Sequence, residues 1–251
     1  MELNLTGKIA LVTGSTHGIG LSIAQNLSSE GCCVVLNSRT ASDLELKVKE
    51  FTNSFGVVGD VSNPDDAKQI ISDVIEQFGS LDILICNVGS GTSVPPGNET
   101  FDEWQSVFSK NLWSATNIIE AARSELSKTQ GVVVCVSSIC GMEVIDGAPV
   151  TYSVAKAALN AYVKAISRPL GKLNVRINAV APGNILFEGS VWSRKLKEDA
   201  NNVETMLCRD VALSRLGDPA EVADLVAFLA SPRAAYATGS IWTLDGGQVH
   251  S

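Results

Sequence analysis

The chain reads as an α/β protein: one doubly wound parallel sheet of about seven strands with helices on both faces, in a single domain over residues 1–251. Three observations predict this. Short runs rich in Val and Ile recur along the chain and are apolar without strict alternation, as strands buried on both faces should be. Stretches with helical periodicity separate those runs, and repeated β–α alternation implies parallel strands joined by crossover helices. The first run ends in Thr13-Gly14, and Gly18 and Gly20 follow before a helical pattern starts at Leu21. A strand, a glycine turn and a helix N-terminus in that order form a cradle for a pyrophosphate. Glycine lets the backbone approach the ligand closely, and the helix end offers unpaired N–H groups and positive dipole.

Taken in order, the strands are expected at Ile9–Thr13, Cys32–Asn37, Gly56–Val58, Leu81–Cys86, Val132–Ser137, Val175–Val180 and Ile241–Leu244. The helices are expected at Leu21–Glu30, Ser42–Phe51, Pro64–Phe78, Phe101–Leu126, Thr151–Leu170 and Pro219–Ala230. Ser62 and Asn63 before Pro64, with Asp65 and Asp66 in the first turn, make a strong helix start. Ligands bind beyond the C-terminal strand ends in such folds, so the polar residues to watch are Thr13, Arg39, Asp60, Asn87, Ser138 and Asn184. One interval breaks the rhythm. Residues 184–216 hold Gly189, Trp192 and a charged stretch from Arg194 to Asp199 without a clear strand. A long insertion after a strand end suggests a lid over the ligand, against the plainer reading of a solvated surface helix.

Composition narrows the function. A net charge of −8 argues against nucleic acid or an anionic membrane as a general partner. No secretory apolar region and no run near membrane-spanning length stand out, so a cytoplasmic protein is expected. Six cysteines occur without a Cys-x-x-Cys pair, most of them in apolar strand-like runs, where they read as reduced, buried thiols. The two histidines, His17 and His250, make no zinc motif, and no metal is expected.

Tyr152 and Lys156 lie four apart, which on a helix puts phenol and ammonium on one face. A nearby cation favours tyrosinate, so a lowered phenol pKa and proton exchange near neutral pH are expected. By itself this spacing occurs by chance on many solvated helices. Its company gives it weight. In order and spacing, Thr13–Gly20, Asn87-Val88-Gly89, Lys110-Asn111, Ser138, Tyr152/Lys156 and Pro182-Gly183 resemble the short-chain dehydrogenase/reductase family, from about Leu5 to Gly247.

The resemblance implies a Rossmann fold and hydride transfer between a nicotinamide and a carbonyl or secondary alcohol. It implies a catalytic set of Asn111, Ser138, Tyr152 and Lys156, with Asn111 holding a water. Ser138 is matched rather than Ser137, because it stands three before Gly141. The dinucleotide would be held by Gly14, Thr16, His17, Gly18, Ile19 and Gly20 at the pyrophosphate, and by Asp60 and Val61 at the adenine. Asn87, Gly89, Tyr152, Lys156, Pro182, Gly183 and Ile185 would complete that site, with Lys156 on the nicotinamide ribose.

The second strand ends Asn37-Ser38-Arg39-Thr40, with no acid from Gly31 up to Asp43. NAD-selecting folds usually carry Asp or Glu at that point. Ser38 and Arg39 suit a 2′-phosphate instead, so NADP(H) is preferred over NAD(H). Among relatives, the general likeness is to 3-oxoacyl thioester reductases. Phe187 stands where the family usually has a Thr or Ser on the carboxamide. Lys128, Arg168 and Lys172 are the cations available for acyl-carrier docking. The alternatives are a catalytically silent dinucleotide-binding regulator, or an oxidoreductase acting on a sugar derivative. A homotetramer is expected, with a dimer as the smaller option.

Overall fold

The computed structural model describes residues 2–250. Among them seven parallel strands form one sheet in the order β3-β2-β1-β4-β5-β6-β7. The strands are β1 (Ile9–Val12), β2 (Cys33–Ser38), β3 (Ser54–Val58), β4 (Ile83–Cys86), β5 (Val132–Val136), β6 (Arg176–Pro182) and β7 (Ile241–Leu244). Every residue of β1, β4 and β5 is buried, which accounts for their unalternating apolar sequences.

The helices are α1 (Gly18–Ser29), α2 (Ala41–Val48), α3 (Pro64–Phe78), α4 (Phe101–Phe108), α5 (Ser114–Thr129), α6 (Val150–Gly171), α7 (Val191–Glu198), α8 (Ala200–Asp210) and α9 (Pro219–Ala230). They enclose two large apolar cores, one on each face of the sheet. Ile70, Val74, Ile118, Leu159 and Val163 fill one, and Ile23, Leu27, Val222 and Val226 fill the other. Local signals explain the sharp ends. The Asn63 side chain accepts the Asp65 and Asp66 N–H groups at the start of α3, and Gly79 closes it at φ 75°. Asp218 and Glu221 form a reciprocal capping box on α9.

One expectation is corrected: the continuous helix expected over Phe101–Leu126 is interrupted at Ser109–Trp113 by a π-helical turn. Segment 184–216, expected as a lid or as a solvated surface helix, contains α7 and α8. Its base is pinned where Gly217 N–H donates to Asn184 O and Leu186 N–H to Gly217 O, both at 2.9 Å. Val203, Leu207 and Val211 with Trp192, Leu196 and Met206 give it a small core of its own.

Candidate active site

The chain leaves β1 to build β2 and β3 on one side, then returns through β4 to build β5, β6 and β7 on the other. The loops after β1 and β4 therefore diverge, and a crevice opens at the C-terminal strand ends. A cavity of about 1440 Å³ lies there. Gly14, Thr16, His17, Ile19 and Gly20 line it from the turn after β1, Ser38 and Arg39 from the end of β2, and Asp60 and Val61 from the loop after β3. Asn87 and Gly89 follow β4, Ser138 follows β5, Tyr152 and Lys156 come from α6, and Pro182, Gly183 and Ile185 lie at the end of β6 and just beyond. Two expected site residues are not on its wall. Asn111 is buried behind it at 1% exposure, and Gly18 is covered by the Phe187 ring.

The turn after β1 is held open by side chains. Asn87 Nδ2 donates to Thr13 O and Gly14 O at 3.1 and 3.0 Å, and Thr13 Oγ1 accepts the Asn87 N–H at 3.0 Å. Gly14 at φ 62° and Gly18 at φ 55° take the left-handed conformation that favours glycine. At Gly20 a Cβ would collide with Gly14 O and the Asn87 amide. Together with the N-terminus of α1, this backbone fits a dinucleotide pyrophosphate. The Phe187 ring packs against the start of this helix, where a Cβ at Gly18 would meet it at 2.6 Å.

At the adenosine end Arg39 Nη1 stands 3.5 Å from Asp60 Oδ2, with the Arg39 side chain 71% exposed. Burial works upward on the Asp60 carboxyl, but hydrogen bonds from Ser62 and the Arg39 charge outweigh it and hold the group below the usual range. Asn37, which the sequence left as a strand residue, organises this corner. Its Nδ2 donates to Val57 O and Gly59 O, both at 3.2 Å, and its backbone N–H donates to Ser15 Oγ at 2.9 Å.

The residues expected to carry the chemistry sit where β5 meets α6. Ser138 Oγ accepts the Cys140 N–H at 3.2 Å, and Ser138 lines the same cavity wall as the Tyr152 phenol. Lys156 is 3% exposed; its Nζ donates to Val136 O at 2.9 Å and lies 5.9 Å from the Tyr152 ring centroid. Burial lowers the Lys156 pKa to about 8. The lowered phenol pKa expected from the spacing is not what the chain has. Burial raises Tyr152 to about 12, against a lowering pull from Ser138, while Lys156 donates to the β5 carbonyl.

The π turn carries Asn111 inward, as such turns often do at functional sites. Its Oδ1 accepts the Ser90 N–H at 3.0 Å, and its Nδ2 donates to Ser90 O at 3.2 Å and Val107 O at 3.0 Å. The side chain expected to hold a water thus fixes the loop after β4. Gly89 lies between it and the lysine: a Cβ there would stand 2.9 Å from Asn111 Oδ1 and 3.1 Å from Lys156 Nζ.

A further positioning residue, Asn160, was missed. Ser137 Oγ donates to its Oδ1 at 2.5 Å, and its Nδ2 donates to Gly141 O at 3.1 Å, clamping both ends of the serine turn. The signal was available, since Tyr152, Lys156 and Asn160 follow at intervals of four along one helix stripe.

Comparison with known proteins identifies the family and the fold. A family model described as Enoyl-(Acyl carrier protein) reductase matches residues 14–249. The chain is 33% identical over 247 residues to a 3-oxoacyl-[acyl-carrier-protein] reductase of Vibrio cholerae, covering 98% of both chains. It is 31% identical to dehydrogenase/reductase SDR family member 4 of Caenorhabditis elegans, covering 96% of this chain and 95% of that one. The structure superposes with a TM-score of 0.93 on L-sorbose reductase from Gluconobacter frateurii in complex with NADPH and L-sorbose, at 28% identity and 100% coverage of both. A 7α-hydroxysteroid dehydrogenase in complex with NADH and 7-oxo glycochenodeoxycholic acid superposes at 0.90, with 27% identity over 100% of this chain and 97% of that one. The chain belongs to the short-chain dehydrogenase/reductase family, oxidoreductases that act on CH–OH and C=O groups.

Proposed function

We propose that this chain is an NADP(H)-preferring oxidoreductase of a small or acyl carbonyl compound, or of the matching secondary alcohol. The observation that carries the reading is that Ser138, Tyr152 and Lys156 line one wall of the cavity, with the Lys156 ammonium one helical turn from the phenol and 5.9 Å from its ring centroid. Hydride comes from the bound nicotinamide. Tyr152 donates its proton to the substrate oxygen as that oxygen gains negative charge, and Ser138 hydrogen-bonds the same oxygen. A phenol raised to about 12 is fully protonated at neutral pH, which suits it to act as the acid of the reductive direction. Alcohol oxidation needs the tyrosinate, and there the Lys156 charge counts most. Lys156 also serves the ribose, while Asn111 and Asn160 hold the loops that bring these groups together.

Ser38 and Arg39 at the end of β2 support NADP(H), and the G. frateurii relative was seen with NADPH. A keto sugar is the second substrate reading, favoured by that relative's L-sorbose complex. The molecule is read as one cytoplasmic domain that assembles as a homotetramer, or at least a dimer. Phe101, Trp113, Val150 and Val154, exposed on α4, the π turn and α6, support such pairing.

The test is a screen of 3-oxoacyl thioesters, small ketones and keto sugars, following NADPH absorbance, with Tyr152→Phe as the control. The variant should bind NADPH normally and lose roughly 10²–10⁴-fold in turnover. Wild-type-like turnover in the variant would remove Tyr152 from the chemistry.

A further inference from the structure

The substrate end of the cavity, beyond Ser138 and Tyr152, is roofed by α7 of the lid. That helix carries Arg194, Lys195 and Lys197 against a single acid, Glu198, on a chain whose net charge is −8. A basic helix over a cleft in an acidic protein focuses positive potential into that cleft.

Lys195 is the cation of α7 best placed to use it. Its Nζ lies 4.6 Å from the Trp192 ring centroid, folded back along the helix over the indole face while remaining exposed. Trp192 itself packs against the small core of Val203, Leu207 and Val211. Both residues line the same cavity as Ser138 and Tyr152. The ammonium acts on the thiol of Cys140, two residues beyond Ser138: burial pushes that thiol up, and Ser138, Lys156 and Lys195 pull it down. Lys195 and Lys156 thus both bear on this corner, one from the lid and one from α6.

Charge pairing separates Lys195 from its neighbours. Arg194 stands 3.9 Å from Glu198, and Arg209 makes two 2.7 Å bonds to Asp210. Lys195 has no carboxylate within ion-pairing distance among the described residues. Three acids also line this space: Glu143, whose Oε1 accepts the His250 N–H at 2.9 Å, Asp210, which is held by Arg209, and Asp146. An indole face orients an ammonium without neutralising it, and leaves its N–H groups for a stronger acceptor.

We propose that the substrate carries an anionic oxygen group, a carboxylate or a phosphate ester, and that Lys195 binds this group while the carbonyl lies against Ser138 and Tyr152. The proposal rests on the oxidoreductase reading above and adds the class of compound the site accepts.

Two matched pairs of ketones test it: a 3-oxo acid with its methyl ester, and a hydroxyketone with its phosphate ester. Each is reduced with NADPH by the wild type, Lys195→Met and Lys195→Arg, and dinucleotide Kd is measured in parallel. The quantity read is the ratio of kcat/KM for the anionic member to that for the neutral one. Loss of a charge-assisted hydrogen bond should lower this ratio roughly 10- to 100-fold in Lys195→Met, in one pair or both. Lys195→Arg should keep most of it, and added salt should shrink it in the wild type. The pair that responds identifies the anion as carboxylate or phosphate.

An unchanged ratio in Lys195→Met overturns the proposal. So does an unchanged ratio with weakened NADPH binding, which would assign the lysine to the dinucleotide. Failure of the wild type to reduce any ketone, neutral members included, defeats the oxidoreductase reading itself and the proposal with it.

Discussion

The ring of Phe187 lies across Gly18, so close that a Cβ on the glycine would stand 2.6 Å from it. Gly18 opens α1, whose first N–H groups are the natural phosphate ligands of the crevice. The aromatic ring therefore covers part of the cradle, and it packs with the core that contains Ile185 and Val180. A pyrophosphate held at this helix end, as the proposed function has it, would have to displace the ring. Phe187→Ala should bind NADPH with a higher association rate in stopped-flow fluorescence. Loss of the half-buried ring should lower stability by about 1 kcal/mol. An unchanged association rate would mean that the ring does not obstruct the ligand.

Arg39 faces Asp60 across the adenosine end of the cavity. Arg39→Asp replaces a phosphate-pairing cation with an acid and sets two carboxylates side by side. NADPH affinity should fall roughly 10- to 100-fold, the worth of a charge-assisted hydrogen bond, with NADH affected far less. Competitive titration of the two dinucleotides measures this. A wild type that prefers NADH would make Arg39 a surface cation.

Much of this was legible in the sequence, for physical reasons. Strands such as Val132–Val136 are apolar throughout because both faces are covered, and α3 announces its start through Asn63 and Pro64. The glycine turn was legible because close approach leaves few alternatives to glycine. What was not legible depends on where side chains point. Nothing in the composition of Ser109–Trp113 marks a π turn within a helical stretch. The Tyr152–Lys156 spacing does not reveal that the ammonium turns toward Val136 O, nor that burial of the phenol reverses its expected shift. Phe187 over Gly18 joins residues far apart in the chain, and no local pattern encodes it.

Lys156 should impose a pH dependence on binding. Burial lowers it to about 8, so the free protein loses this positive charge as pH rises through that value. NADPH affinity should fall across the same range in isothermal titration, and Lys156→Met should flatten the profile. The effect on stability has the opposite sign. Between about 8 and 10.5 the unfolded chain holds the lysine proton and the folded chain does not, so this group makes stability rise with pH. Tyr152 acts the other way at higher pH. Its phenol keeps its proton up to about 12 in the folded chain against 10.0 unfolded, so its contribution is lost as pH rises through that window. A Lys156→Met profile parallel to wild type in both measurements would remove the lysine as the cause.

Residues 188–199 should form the moving part of the lid, a narrower piece than the whole 184–216 insertion. The base is fixed, because Gly217 and Asn184 bond backbone to backbone and Ile185 is buried in the main core. Gly189 at φ 80° has open space around it, and Asp199 is both the last cap of α7 and the first of α8. These two points bracket α7, none of whose residues is buried. A short helix with little buried surface opens at low free-energy cost, and closing it over the cavity would exclude water from the reacting groups. Hydrogen exchange should therefore be fast at residues 191–198 in the free protein and slow once dinucleotide and a ketone are bound. The Leu186 and Gly217 amides should stay protected throughout. Slow exchange of α7 in the free protein, unmoved by ligands, would make the segment a fixed roof, with Trp192 anchored in its small core as the reason.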